Sequence, residues 1–94
     1  MDFFKRTIVA VDDSPIILKM LECLLKEKYA FRGFTKGDRA LTYLQERFVN
    51  LIILDIDMPG MSGFDIAKRM CVEHPLLKIV FVSAYDNYVY SSFE

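Results

Sequence analysis

The sequence predicts an α/β domain in which helices cover both faces of a parallel sheet. Strand-like and helix-like segments alternate along all 94 residues, and such alternation implies right-handed crossovers between parallel strands. Three of the strand-like segments are continuous apolar runs rich in β-branched residues, which is typical of strands buried on both faces. We therefore expect one doubly wound domain over residues 1–94.

Four segments are predicted as strands, at residues 7–11, 29–34, 49–54 and 78–82. The first, third and fourth contain the runs IVAV, LIIL and IVFV. Arg32 and Gly33 interrupt the second segment, and an interrupted apolar pattern suits a strand that is less buried than its neighbours. We predict that the second strand lies at an edge of the sheet.

A start signal and an apolar stripe predict each helix. Ser14 before Pro15 is typical of an N-cap followed by proline in the first turn, and Asp38 and Ser62 are the expected caps of the second and third helices. The third should end before Pro75, and a short fourth is suggested over residues 86–94. The residues expected to face the core are Ile16, Ile17, Met20, Leu21, Leu24, Leu25, Ala40, Leu41, Leu44, Phe48, Phe64, Ala67, Met70 and Cys71.

Composition narrows the classes of protein to consider. The net charge of −1 gives no electrostatic reason to expect direct binding of nucleic acid. No apolar run approaches the ~20 residues of a membrane span, and the first residues do not form a signal peptide. We expect a cytoplasmic protein in which Cys23 and Cys71, which lack CxxC spacing, are reduced core thiols.

Carboxylates follow two of the predicted strands. Asp12 and Asp13 come after the first, Asp55 after the third, and Ser83 follows the fourth. The carboxyl ends of parallel strands form the ligand-binding edge of such sheets. Asp13 alone is equally compatible with a helix cap before Pro15, but three carboxylates at one edge repel each other unless a cation lies between them. The sequence therefore predicts a site for Mg²⁺, which prefers oxygen ligands.

Three segments, TIVAVDDSP, LIILDIDMPGMSGFD and KIVFVSAY, resemble the receiver domain of two-component response regulators. In that family a phosphohistidine of a sensor histidine kinase donates its phosphoryl group to an aspartate of the receiver. The resemblance covers nearly the whole chain and implies a flavodoxin-like fold with strand order 2-1-3-4. It also implies a sensor histidine kinase as partner.

The resemblance also assigns roles to individual residues. It implies that Asp55 is the phosphoacceptor, that Asp13 binds Mg²⁺ directly and that Asp12 holds it mainly through water. The backbone carbonyl of Asp57 would be a further Mg²⁺ ligand, so the implied metal set is Asp12, Asp13, Asp55 and Asp57. Ser83 would be the switch hydroxyl that turns toward the phosphoryl group.

The sequence departs from the family at its carboxyl end. Receivers continue through a fifth strand, which carries a lysine, and a fifth helix, whereas this sequence stops at Glu94. We expect slow or absent phosphorylation and a homodimer formed through the fourth-strand edge, since exposed edges pair with other chains. The tail at residues 83–88 resembles receivers of LytTR-type regulators, so the parent protein could carry an output domain.

Two other functions stay open at this point. One is a receiver-like dimerisation or binding module that is never phosphorylated. The other is a phosphatase of the haloacid-dehalogenase type, with Asp55 as nucleophile and Asp57 as general acid, although Pro59 stands where that family has a small residue such as threonine. We expect a signalling domain and not an enzyme with turnover.

Overall fold

The computed structural model describes residues 5–82. Within that range four strands alternate with three helices. The strands are β1 (Arg6–Val11), β2 (Tyr29–Phe34), β3 (Leu51–Asp55) and β4 (Lys78–Val82). The helices are α1 (Pro15–Leu25), α2 (Gly37–Glu46) and α3 (Gly63–Glu73). The predicted alternation is confirmed, while the suggested fourth helix falls outside the described residues.

All pairings in the sheet are parallel, and the strand order is β2-β1-β3-β4. This order confirms the 2-1-3-4 sheet, and β2 lies at an edge as predicted. In the register, Ile8 pairs with Leu51 and Asp55 pairs with Val82. The carboxyl ends of β1 and β3 are therefore adjacent at the same edge of the sheet.

The third strand begins at Leu51 and not at residue 49. Asn50, which directly precedes it, forms hydrogen bonds to both neighbouring strands. Its Oδ1 accepts a hydrogen bond from the Thr7 amide at 2.8 Å, and its own amide donates to the Thr7 carbonyl at 3.0 Å. The Asn50 carbonyl accepts from the Lys78 amide at 3.3 Å. Asn50 thus ties β1, β3 and β4 together at their amino ends.

The main core lies between the sheet and the pair α2 and α3. Fully buried residues of β1, α2, β3 and α3 form it, among them Val9, Ala40, Ile52, Leu54, Ile66 and Met70. Alternate residues of β1 point to the other face, which α1 covers. There Leu18 is buried, and a Cβ at Gly33 of β2 would lie only 3.3 Å from the Leu18 side chain.

The apolar stripe of α1 is less buried than its periodicity predicts. Ile16, Met20 and Leu24 are 73%, 56% and 76% exposed, and Leu18 is the buried residue of the helix. Among the described elements α1 packs mainly against β2, so only a narrow line of the helix meets the sheet. The predicted inward stripe is therefore wrong for most of its members.

Helix α2 differs from the prediction at both ends. It begins after Lys36, which makes no side-chain cap hydrogen bond, and Asp38 lies in the first turn instead of capping it. Phe48 follows the end of the helix and is 80% exposed, although the pattern predicted it to face inward. Ala40, Leu41 and Leu44 are buried as predicted.

Helix α3 is capped by Ser62 as predicted and buries Ile66, Ala67 and Met70. Phe64 is 40% exposed. Cys71 is exposed because it lies one residue, about 100° of helix rotation, past the buried Met70. Cys23 is also exposed, so the prediction of two core thiols is wrong.

Candidate functional site

The predicted acids converge at the carboxyl edge of the sheet. Asp12 and Asp13 directly follow β1, and Asp55 is the last residue of β3. One carboxylate oxygen from each of the three lies within 4.8 Å of the other two. Asp12 and Asp55 are half-buried, while Asp13 is exposed. The structure thus brings together all three side chains that the sequence singled out for a metal.

Backbone amides orient two of these carboxylates. The Ser14 amide donates to Asp12 Oδ1 at 2.9 Å, and the Asp57 amide donates to Asp55 Oδ1 at 3.1 Å. Each loop that follows a strand therefore turns back on the acid at the strand end. Each of these hydrogen bonds favours one orientation of its carboxylate.

Strand pairing also fixes the main chain beneath the acids. The Asp12 amide donates to the Phe34 carbonyl at the end of β2, and the Ile56 amide donates to the Val82 carbonyl at the end of β4, both at 3.0 Å. The backbone on either side of the site is therefore anchored to a neighbouring strand. The two strand ends are adjacent because Val11 of β1 pairs with Leu54 of β3.

Burial and the neighbouring acids raise the pKa of two of the three carboxylates. Burial is the main cause that raises the pKa of Asp55 to about 6, with the nearby charges of Asp12 and Asp13 adding to the effect and the Asp57 amide opposing it. Burial likewise raises the pKa of Asp12, followed by the charge of Asp13, against the hydrogen bond from Ser14. A cation placed between these groups would relieve both the repulsion and the desolvation.

The donor set fits Mg²⁺ better than a softer metal. All three side chains offer oxygen atoms, whereas Zn²⁺ sites are usually built with histidine or cysteine. Mg²⁺ usually keeps several waters and is held by one or two carboxylates plus phosphate oxygens. The exposure of Asp13 leaves room for such waters.

Two glycines shape the loop that joins β3 to α3. Gly60 has a φ of 82°, a left-handed conformation that glycine adopts without strain. Gly63 lies so close to the Asp55 carbonyl that an added Cβ would collide with it. The sequence around Gly63 does not indicate this close approach. A glycine needed for packing carries no local signal that separates it from a turn glycine.

A reciprocal cap holds the start of α3 beside the site. Ser62 Oγ accepts a hydrogen bond from the Asp65 amide at 3.3 Å, and Asp65 Oδ2 accepts one from the Ser62 amide at 3.2 Å. This capping box satisfies two amides that the first turn of a helix otherwise leaves unpaired. It fixes α3 where Gly63 packs on the end of β3.

Two of the predicted site residues are described only in part or not at all. Asp57 is exposed and its amide contacts Asp55, while the use of its carbonyl as a metal ligand stays a prediction. Ser83 lies outside the described residues, as does the tail at residues 83–94. The switch hydroxyl therefore also stays a prediction.

Comparison with known proteins identifies the family. Residues 8–92 match the response regulator receiver domain. The chain belongs to this family. The convergence of Asp12, Asp13 and Asp55 at the carboxyl edge of a 2-1-3-4 sheet is thus the geometry of a receiver in a two-component system.

Curated relatives of this receiver are longer proteins. An uncharacterized response regulatory protein of Vibrio cholerae is 33% identical over 92 residues, which cover 94% of this chain and 35% of that protein. The sensory transduction protein LytT of Bacillus subtilis is 34% identical over 91 residues, which cover 93% of this chain and 37% of LytT. The receiver therefore spans about a third of the length of these two relatives.

Solved structures share the fold. The response regulator TrrA of Thermotoga maritima, crystallised in complex with Mg²⁺ and BeF, is 34% identical with a TM-score of 0.80, over 88% of this chain and 73% of that one. TrrA has also been crystallised with the histidine kinase ThkA, and there the match has a TM-score of 0.79 over 92% of this chain and 75% of TrrA.

The described part of this receiver has no helix long and apolar enough to cross a membrane.

Proposed function

We propose that this receiver accepts a phosphoryl group on Asp55 in a reaction that requires Mg²⁺. The observation that carries the proposal is the meeting of three carboxylates within 4.8 Å at the ends of β1 and β3. Asp55 is one of the two half-buried members, and the Asp57 amide orients its carboxylate. With a pKa of about 6 it is largely ionised near neutral pH and can act as a nucleophile.

The residues around Asp55 would hold the cation. Asp13 would supply an exposed carboxylate for direct coordination, and Asp12 would supply a half-buried carboxylate that acts mainly through water. The backbone carbonyl of Asp57 would be a further ligand. When bound, Mg²⁺ neutralises charge on the transferring phosphoryl oxygens. Without such neutralisation the negative phosphoryl group would be repelled by all three carboxylates.

The chemical step is a displacement at phosphorus. A carboxylate oxygen of Asp55 forms a bond to phosphorus while the bond from phosphorus to the imidazole nitrogen of the donor phosphohistidine breaks. The imidazole leaves with the electron pair of that bond and takes up a proton, and Asp55 becomes an acyl phosphate. The Asp57 amide holds Asp55 Oδ1 at 3.1 Å, which orients the carboxylate for in-line attack.

The donor is proposed to be a sensor histidine kinase. The support comes from TrrA, a 34% identical receiver that has been crystallised with the histidine kinase ThkA. In this proposal the parent protein carries an output domain, in keeping with the greater length of the curated relatives. Ser83 would then sense the new phosphoryl group as the switch hydroxyl.

The test is phosphorylation by acetyl phosphate with Mg²⁺, read by mass spectrometry of the intact protein and of its peptides. We expect one phosphoryl group on Asp55, no labelling of Asp55→Asn, and reduced labelling of Asp13→Asn. Asp38→Asn is the matched control, because Asp38 is an exposed acid in the first turn of α2. Labelling of Asp55→Asn at the wild-type rate, or labelling that survives removal of Mg²⁺, would overturn the proposal.

The alternatives lead to other results in the same experiment. A receiver-like binding module would bind Mg²⁺ but take up no phosphoryl group from either acetyl phosphate or a kinase. A haloacid-dehalogenase phosphatase would turn over phosphate esters with Asp57 as general acid. The described contact of Asp57 with Asp55 runs through the backbone amide, and its side chain is exposed, so this geometry favours the receiver over the phosphatase.

We also propose that the protein forms a homodimer through β4. In the part of the sheet that the structure describes, β4 pairs with β3 on one side, and Val80 and Val82 are 44% and 42% exposed. Apolar side chains that a strand leaves in solvent favour association with a second chain. Sedimentation velocity should show a dimer that Val80→Lys weakens, and a strict monomer at all concentrations would contradict the proposal.

A further inference from the structure

A groove lies at the amino end of the sheet, opposite to the acidic site. We call it the amino-end groove and define it by Arg6, Arg47, Phe48, Asn50, Leu76 and Lys78, which are among its lining residues. Its volume is about 520 Å³, within the range of roughly 300 to 1,000 Å³ that is common for binding sites. None of the residues proposed for phosphorylation lines it.

The groove is flanked by large apolar side chains that the fold leaves in solvent. Phe48 is 80% exposed and Leu76 is 92% exposed. Phe48 follows the end of α2, and Leu76 lies in the turn between α3 and β4. Exposed apolar side chains that gather at a concave surface, rimmed by polar residues, mark interaction sites.

The rim of the groove is positively charged. Arg6, Arg47 and Lys78 are all exposed cations. The carboxylate that lines the groove with them, Glu73, lies 3.9 Å from Arg69 Nε, so its charge is partly compensated within α3. The whole chain has a net charge of −1, so the positive rim is a local feature and favours an acidic occupant.

The floor of the groove is held in place before any partner arrives. Asn50 is bonded to Thr7 at 2.8 and 3.0 Å and to Lys78 at 3.3 Å. The Arg47 guanidinium stacks 5.2 Å from the centre of the Tyr43 ring, which limits its motion. A preorganised surface loses less entropy when it binds.

We propose that the amino-end groove binds a polypeptide segment of a partner protein in which acidic residues flank apolar ones. The carboxylates of the segment would pair with Arg6, Arg47 and Lys78, and its apolar side chains would pack on Phe48 and Leu76. A polypeptide fits better than a small molecule, because Phe48 and Leu76 are 80% and 92% exposed and an extended occupant can cover side chains that the groove itself leaves in solvent. This binding is separate from the phosphorylation of Asp55.

The test is selection of short random peptides displayed on phage against the immobilised full chain. The most enriched peptide is then synthesised with a fluorophore, and its Kd is measured by anisotropy. We expect enrichment of Asp and Glu next to aromatic or aliphatic residues, and binding that weakens as salt is added. Lys78→Glu and Arg47→Glu should each weaken binding by about tenfold or more.

Lys68→Glu is the matched control, since Lys68 is exposed on α3 and outside the groove. Phe48→Ser tests the apolar contact without a charge change and should also weaken binding, while Asp38→Asn, which changes an exposed acid outside the groove, should bind the peptide as the wild type does. Thermal melts monitored by circular dichroism check that each variant is folded. The proposal is overturned if no acidic peptide is enriched, or if Lys68→Glu weakens binding as much as Lys78→Glu.

Discussion

At the scale of single residues, the chemistry of the site depends on the surroundings of Asp55. Its carboxylate is half-buried and lies beside Asp12 and Asp13. An isolated, solvated aspartate at a strand end would have the ordinary pKa of about 3.8. Here burial and two neighbouring acids raise its pKa to about 6, so a proton would compete with the proposed Mg²⁺ for the same oxygens.

The first prediction concerns the metal-free protein. The folded-state pKa of Asp55 is raised from 3.8 to about 6, so the folded state binds this proton more tightly than the unfolded state does. The contribution of Asp55 to the free energy of unfolding is then fully present below about pH 3.8 and is lost as the pH rises through about 6. Asp55→Asn should remove this part of the pH dependence. Urea denaturation in EDTA on both sides of about pH 6 measures it, and identical pH profiles for wild type and Asp55→Asn would contradict it.

The second prediction concerns Gly63. Gly63→Ala should lower the free energy of unfolding by about 1 to 3 kcal/mol, because the new methyl group collides with the Asp55 carbonyl and forces α3 away from β3. It should also slow phosphorylation, since the carbonyl belongs to the proposed phosphoacceptor residue. Gly60→Asn is the control. Asparagine tolerates the left-handed conformation that Gly60 adopts at a φ of 82°, and a Cβ at this position would meet no other atom. Equal stability of the two variants in urea would show that the close approach is unimportant.

At the scale of elements, α2 and α3 begin in contrasting ways. Ser62 caps α3 through a reciprocal hydrogen-bonded box with Asp65. Lys36 occupies the N-cap of α2 in an extended conformation and offers no side-chain acceptor. The first turn of α2 therefore depends on packing of its buried residues, whereas that of α3 is also stabilised locally.

The third prediction follows from this contrast. Ser62→Ala should lower the free energy of unfolding by about 1 kcal/mol, because it removes the acceptor for the Asp65 amide. Lys36→Ser should raise it by up to about 1 kcal/mol, because it adds an acceptor and removes a positive charge from a helix N-terminus. Chemical denaturation of both variants gives the measurement. A stabilising Ser62→Ala or a destabilising Lys36→Ser would contradict the assignment of the caps.

At the scale of the whole molecule, the sheet connects the acidic site to the stability of the chain. The pairing of Val11 with Leu54 places the backbone of Asp12 beside that of Asp55, so the folded sheet brings the two acids together. Their repulsion is therefore a cost to the folded state as a whole. A ligand that binds only the folded arrangement stabilises all of it.

The fourth prediction is that Mg²⁺ stabilises the whole protein. A concentration of a hundred times the Kd should raise the free energy of unfolding by about 2.7 kcal/mol. Asp13→Asn should reduce this gain, because it removes one of the three carboxylates, while the exposed Asp38→Asn should keep it. Thermal melts with increasing Mg²⁺ at constant ionic strength provide the test. A melting temperature that ignores Mg²⁺, or the same gain in Asp13→Asn, would contradict the site.

The sequence alone determined the architecture and the acids of the site. Continuous apolar runs and the alternation of periods predicted the parallel sheet, since these patterns depend on local chain geometry and on burial of both sheet faces. The acids at the strand ends followed directly, because the carboxyl ends of parallel strands share one edge. For Asp12, Asp13 and Asp55 the predicted proximity is confirmed by the structure.

Only the tertiary structure decided which apolar residues of each helix are buried and how closely the elements approach one another. Apolar spacing shows that a helix has one apolar face, but burial of that face depends on which elements pack against it. Ile16 and Leu24 are therefore exposed while Leu18 is buried. The amino-end groove is lined by residues of β1, α2 and β4, and the contact of Gly63 with the Asp55 carbonyl depends on how α3 packs on β3. Such contacts leave no local signature, because they depend on how the elements meet and not on the conformation of any one segment.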